Sequence, residues 1–206
     1  QNLTEDFTET LAKALAPSIL GRTSGSFSPK DLAGITSTLP SKEKIFASLP
    51  AITASDLVIS KENDAARVKE YFARVFEVYE RRLLKYKPNE DLEILERALA
   101  SENMSELAKL NPAITALEES FDEIKSISVP RGYEDFAVKE LSYLLKSRRM
   151  AEIIRNVNTD PLLVMAILEP RLNSPAEIAD FHRQIGRLLA SKGIAYTSEK
   201  WGVMFR

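Results

Sequence analysis

A chain of 206 residues, 44% hydrophobic and 28% charged, has the composition of an ordered globular protein with one well-filled core or two small ones. The net charge of −2 gives no ground for a nucleic-acid or membrane-surface partner, and the absence of cysteine excludes disulfides, thiolate nucleophiles and cysteine–metal sites. No apolar run approaches the ~20 residues that cross a bilayer.

The first element is an amphipathic helix over residues 4–16, with Leu3, Phe7, Leu11 and Leu15 at four-residue spacing and Thr4 as its cap. The chain opens at Gln1, within this pattern and without a methionine. That predicts a hydrophobic N-terminal segment removed from in front of it. Residues 1–20 form this N-terminal helix. Residues 21–50, rich in Gly, Ser, Thr and Pro, read as a linker-like segment. From 51 to 206 the pattern is that of a helical bundle closed by a terminal β-hairpin.

Within that bundle, DLVIS at 56–60 has strand composition. Asn63 or Asp64 then caps a long helix to about residue 86, with Val68, Phe72, Val75, Tyr79 and Leu83 as its apolar stripe. Three shorter helices follow over residues 88–127, opened by Asn89, Ser101 and Asn111-Pro112. VPRG at 129–132 is a turn, and a second long helix covers residues 133–157. The two long helices are expected to pack antiparallel. Asp160-Pro161 opens another helix that meets Pro170, and Ser174-Pro175-Ala176-Glu177, a capping box with proline at the first position, starts a new one ending at Gly193. The closing IAYTSEKWGVMF alternates as a hairpin, with DLVIS as its third strand. The expected fold is mainly α: six to eight helices with a small C-terminal β-hairpin joined by a strand near 56–60.

Charge is distributed unevenly. Residues 1–130 carry 16 basic against 21 acidic side chains and residues 131–206 carry 12 against 9, which is −5 against +3. Candidate chemistry is sparse. The single histidine, His182, sits one residue off an apolar stripe and reads as a structural residue at the edge of the core, with no second histidine to build a metal site and no evident carboxylate to orient it as a base. Carboxylate pairs such as Glu93 and Glu96, Glu118 and Glu119, and Asp135 and Glu140 follow the three- and four-residue charge spacing of solvated helix faces. Arg148, Arg149 and Arg155 form a basic strip without interleaved aromatics, which argues against a nucleic-acid surface. There is no phosphate-binding glycine loop. The lone Trp201 lies in a turn beside Tyr196, and the pair is the candidate partner-binding site, since Trp and Tyr are enriched in interface hot spots.

Asn2-Leu3-Thr4 before an amphipathic helix, DLVIS, PNEDLEILERAL at 88–99, Val129-Pro130, Asp160-Pro161, and Lys192-Gly193-Ile194 before an aromatic hairpin with Gly202 and Phe205 are together similar to one group of proteins. They resemble an uncharacterised family of helix-rich, membrane-anchored extracytoplasmic proteins of candidate-phylum, reduced-genome bacteria. The resemblance covers residues 1–16 and 56–206. It implies a transmembrane helix before the Asn-Leu-Thr segment, a chain that works outside the cytoplasm, and one long helix where Pro170 and Ser174-Pro175 suggest two. It supplies no catalytic residue. The expected function is a non-catalytic interaction or scaffold module tethered to the cell envelope, binding a protein partner, with no cofactor, metal, nucleic acid or small-molecule substrate. The alternatives are a carboxylate-based enzyme and a cytosolic regulatory helical bundle.

Overall fold

A computed structural model describes residues 45–194. Among these are five α-helices: α1 (Ala65–Arg82), α2 (Glu90–Ala100), α3 (Asn111–Ser126), α4 (Glu134–Arg155) and α5 (Pro161–Ser191), with 3-10 segments at Ala54–Asp56 and Met104–Leu110. The mainly α expectation holds. Among the described residues there are five helices where seven were expected, and two differences account for that. The middle of the three short helices is a 3-10 segment, and α5 is one helix where two were expected.

Local signals explain most boundaries. The Asp64 carboxylate accepts from the Arg67 amide at 2.8 Å and opens α1, and Asp160 accepts from the Leu163 amide at 3.0 Å and opens α5. Gly193, at φ +71°, takes the left-handed conformation that ends α5. In α5 the local signals lose to burial. Val164, Ile167, Ser174, Phe181, Ile185 and Leu189 are all buried, at steps that keep one face inward straight through Pro170 and Pro175. Each proline lacks an N–H and deprives one carbonyl of its helical partner. Burial of a continuous stripe on both sides outweighs that loss.

DLVIS forms no sheet strand among the described residues. Thr53 and Asp56 close a turn at its start, the Thr53 amide donating to Asp56 at 2.9 Å. Ile59 then makes a single parallel bridge to Val129, through Ser60 N–H to Val129 O and Val129 N–H to Val58 O, both at 2.7 Å. The ladder stops there because the chain turns away at once: the Tyr133 amide donates to Pro130 O at 3.1 Å and Gly132 stands at φ +89°. The predicted hairpin at 194–205, apart from Ile194, lies outside the described residues, as do the helix at 4–16, Trp201 and Tyr196.

The expected antiparallel pairing of α1 and α4 is also corrected. Phe72 stacks edge-on against Tyr133, which precedes α4, at 5.8 Å, and Tyr79, seven residues on, bonds Glu140, seven residues beyond Tyr133. The two helices therefore run parallel. The chain returns through α3, which pairs with both in the opposite sense; Arg81 and Arg82 at the end of α1 are bridged to Glu119 and Glu123 in its middle. Two apolar clusters result. One joins α1, α3, α4 and the second half of α5 around Phe72, Tyr133, Leu141 and Phe181. The other joins α2, the 3-10 segment, the end of α4 and the start of α5 around Leu95, Leu110, Ile154 and Ile167.

Candidate functional site

Glu140 and His182, both expected on or near the surface, are at the centre of the first cluster, 4% and 5% exposed. On α4, Glu140 falls in the inward stripe of Ala137, Leu141 and Leu144; on α5, His182 stands beside Phe181 and ahead of Ile185. The Tyr79 hydroxyl of α1 donates to Glu140 Oε1, and His182 Nε2 lies 3.2 Å from Oε1 and 3.1 Å from Oε2. A carboxylate only accepts, so Nε2 carries the hydrogen. The carboxylate that histidine chemistry requires is thus present, 42 residues away in sequence.

The three polar groups are joined to one another. Burial, then the Glu140 charge, holds the Tyr79 hydroxyl well above its ordinary pKa, and Tyr71, one helical face along, is raised by the same two causes. A phenol so shifted stays protonated at neutral pH and remains a donor to Glu140. The Tyr79 ring also meets His182 edge-on at 5.5 Å. The arrangement clamps α1, α4 and α5 together.

Beside the clamp, at the seam of the two apolar clusters, lies a half-open cavity of about 290 Å³. Tyr79 and Leu144 line it from the first cluster, Ile94, Leu110 and Ala151 from the second. Its cause is readable in the stripes that surround it. Where α3, α4 and α5 converge they present Ala113, Ser147, Ala151 and Ser174 in place of large side chains, and the void is what those small residues leave. Glu140 and His182 do not line it.

At the cavity wall Arg171 of α5 makes a two-pronged pair with Asp91 of α2. Nε reaches Oδ2 and Nη2 reaches Oδ1, both at 2.7 Å, while Nη1 donates to Asn89 Oδ1 at 3.2 Å. Asn89, which the sequence offers as the cap of α2, does not cap it. It stands at φ +62°, a conformation asparagine tolerates, with no side-chain bond to the helix amides. Glu90 folds back instead to accept from the Lys87 amide at 3.0 Å. Tyr143 lines the same space, its hydroxyl pKa raised by burial and then by the charges of Glu177 and Glu140.

Two arginines of the basic strip have acidic partners, Arg149 reaching Glu152 at 3.9 Å. Arg148 pairs with Glu118 at 3.0 Å and Glu152 at 2.8 Å, and Arg155 donates to Asn111. Among the described residues no group of three or more His, Asp or Glu side chains is placed to hold a metal ion, and no helix is long and apolar enough to cross a membrane.

Sequence reasoning missed the joining of Glu140 to Tyr79 and His182, and the pairing of Arg171 with Asp91 at the cavity. The available signals were a glutamate inside an apolar stripe of α4 and an arginine inside one of α5. No family model, no curated protein and no solved structure matches this chain.

Proposed function

We propose that this chain is a non-catalytic interaction module, tethered to the cell envelope outside the cytoplasm and binding a protein partner there. The observation that carries the reading is the position of the buried polar cluster, whose acid and imidazole stand away from the cavity. Tyr79 and His182 both bond Glu140, and neither the acid nor the imidazole lines the cavity. A general base needs an atom within reach of a substrate's proton. The partner surface on this reading is a β-hairpin over 194–205 carrying Trp201 and Tyr196, joined by residues 56–60. Support comes from Ile194, buried in the same cluster as Val129, the residue that bridges Ile59.

The test is the fluorescence of Trp201, the single tryptophan, in the full chain. Strong quenching by acrylamide, lost on adding the isolated envelope fraction and not lost in a Tyr196→Ala variant, supports the reading. A blue-shifted, protected ring in the chain alone overturns this surface.

One observation favours a second reading, a carboxylate-based enzyme at a helical cleft. Tyr79 both lines the cavity and bonds Glu140, so a proton path from cavity to carboxylate exists in principle. A defined turnover abolished by Tyr79→Phe, with the fold intact, would establish it.

A further inference from the structure

We propose that the cavity at the seam is a binding site for a small amphipathic anion, with an apolar body of medium-chain or single-ring size and one carboxylate held at the mouth. This goes beyond the partner-binding reading and does not depend on it.

Size sets the first limit. About 290 Å³ stands at the lower end of the ~300–1,000 Å³ of ligand pockets, so a long-chain lipid does not fit within it. Wall chemistry sets the second. Leu83, Ile94, Leu110, Leu117, Leu144 and Ile178 give a mainly apolar lining that favours a hydrocarbon body.

Charge selects the head group. Three basic residues, Lys87, Lys109 and Arg171, line the cavity with two acidic ones, Glu90 and Asp91, and Glu106 pairs with Lys109 beside it, so what favours an anion is which charges still have bonds to offer. The two acids are the less available charges. Both Asp91 oxygens are engaged by Arg171 and one also accepts from the Leu92 amide at 3.0 Å; Glu90 accepts from the Lys87 amide. Both stand in the first turn of α2, where the helix dipole offsets negative charge. The cations keep donors in hand. Arg171 has three of its five N–H groups engaged within the chain, and its planar fork is held by Asp91 in one orientation. Among the described residues the Lys87 ammonium makes no ion pair, and Lys109 is held only by Glu106 at 2.5 Å in an exposed, exchangeable bridge. A cationic ligand could not use those donors, and a neutral one would forgo the charge-assisted bonds.

The experiment is isothermal titration calorimetry on the full 206-residue chain with octanoate, 1-octanol and octylamine, which share one apolar body. Octanoate should bind about tenfold more tightly than 1-octanol, and octylamine should not bind measurably. Lys87→Met should weaken octanoate about threefold, the size of an exposed charge contact. Ala113→Phe should abolish octanoate binding by filling the void; Ser147→Leu fills it from α4 and serves where the first variant does not fold, as judged by far-ultraviolet circular dichroism. Failure of octanoate to bind at millimolar concentration overturns the proposal. Equal affinity for octanoate and 1-octanol overturns the anion selection. Octanoate binding undiminished in a folded cavity-filled variant places the molecule elsewhere on the surface and overturns the site.

Discussion

Replacing His182 by alanine removes the ring that both caps the Glu140 carboxylate and fills space between Tyr79 and Phe181. The ring centroids lie 5.5 and 5.6 Å away, and His182 is 5% exposed. The variant leaves a carboxylate, 4% exposed, with the Tyr79 hydroxyl as its remaining side-chain partner in the clamp. Breaking a buried pair from one side costs about 3–5 kcal/mol, against ~5–15 kcal/mol of stability for a domain. The expected loss is therefore about 4 kcal/mol. Glu140→Gln should cost less, about 1–2 kcal/mol, because glutamine keeps the shape and still accepts from Tyr79, while its NH2, in the place of Oε2, requires His182 to present its acceptor tautomer. His182→Gln should recover part of the alanine loss by restoring a donor. The double change His182→Ala with Glu140→Gln should be milder than the sum of the singles by about 2 kcal/mol, the signature of coupled neighbours. Urea unfolding followed by circular dichroism measures all four. Additive single losses, or an alanine variant within 1 kcal/mol of the parent, would show that the buried pair does not hold the three helices together.

Alkaline titration gives a second check. Tyr71 and Tyr79 are raised in the folded state above the ordinary value near 10, so their stabilisation is complete below pH ~10 and is lost as pH climbs above it toward the folded values, at up to ~1.4 kcal/mol per pH unit for each. Stability should fall steeply above pH ~10, with phenolate absorbance appearing together with unfolding, and Tyr71→Phe should make that fall shallower; an unchanged slope would count against it. Arg171→Met should cost about 3 kcal/mol by leaving Asp91 half-sealed without its cation, and Arg171→Lys should restore less than half, since an ammonium cannot reproduce the fork. Thermal melts of the two variants decide this. Glu123, raised by burial as its largest single cause but lowered on balance by Arg81 and Arg82 together, belongs to a largely exposed network, so Arg82→Ala should cost no more than about 1 kcal/mol and the loss should fade in 1 M salt. A loss that salt does not touch would mean that packing of the Arg82 stem, and not its charge, is what matters.

Elements with a strong period and a capping carboxylate were legible without coordinates. Asp64, Asp160 and Gly193 act where they were read, and α4 covers Glu134–Arg155 against an expected 133–157. Where two elements must agree, local reading stopped short. DLVIS has the residues of a strand, but a strand needs an extended partner, and its neighbour Val129 is followed at once by the turn at 130–133. Parallel α1 and α4 follow from where the turn at 129–132 sends the chain after α3, a matter of topology on which matched helix lengths are silent. Glu140 was taken for one of many surface carboxylates because charge spacing along one helix does not say what stands opposite. The Tyr79 hydroxyl and His182 ring that make its burial tolerable come from two other helices.

The same competition explains why the cavity exists where it does. A capping box at Ser174 proposes a helix start, and the inward stripe of α5 overrides it. The override carries two consequences at the same level of the bundle. Ser174, suited to a cap, now occupies an inward position with a small side chain, and Arg171, a poor residue for a half-buried place, is paired there with Asp91. Facing them, α4 offers Ser147 and Ala151 and α3 offers Ala113. Large apolar side chains at these five positions would merge the two clusters into one continuous core and, by ordinary packing logic, gain stability. The chain instead holds a half-buried ion pair, two inward serines and an open seam, each of which costs stability in a bundle of this size. An unfilled seam maintained by residues from three helices is the pattern of a space kept for an occupant. The cations at its mouth that still have bonds to offer are what make that occupant an anion.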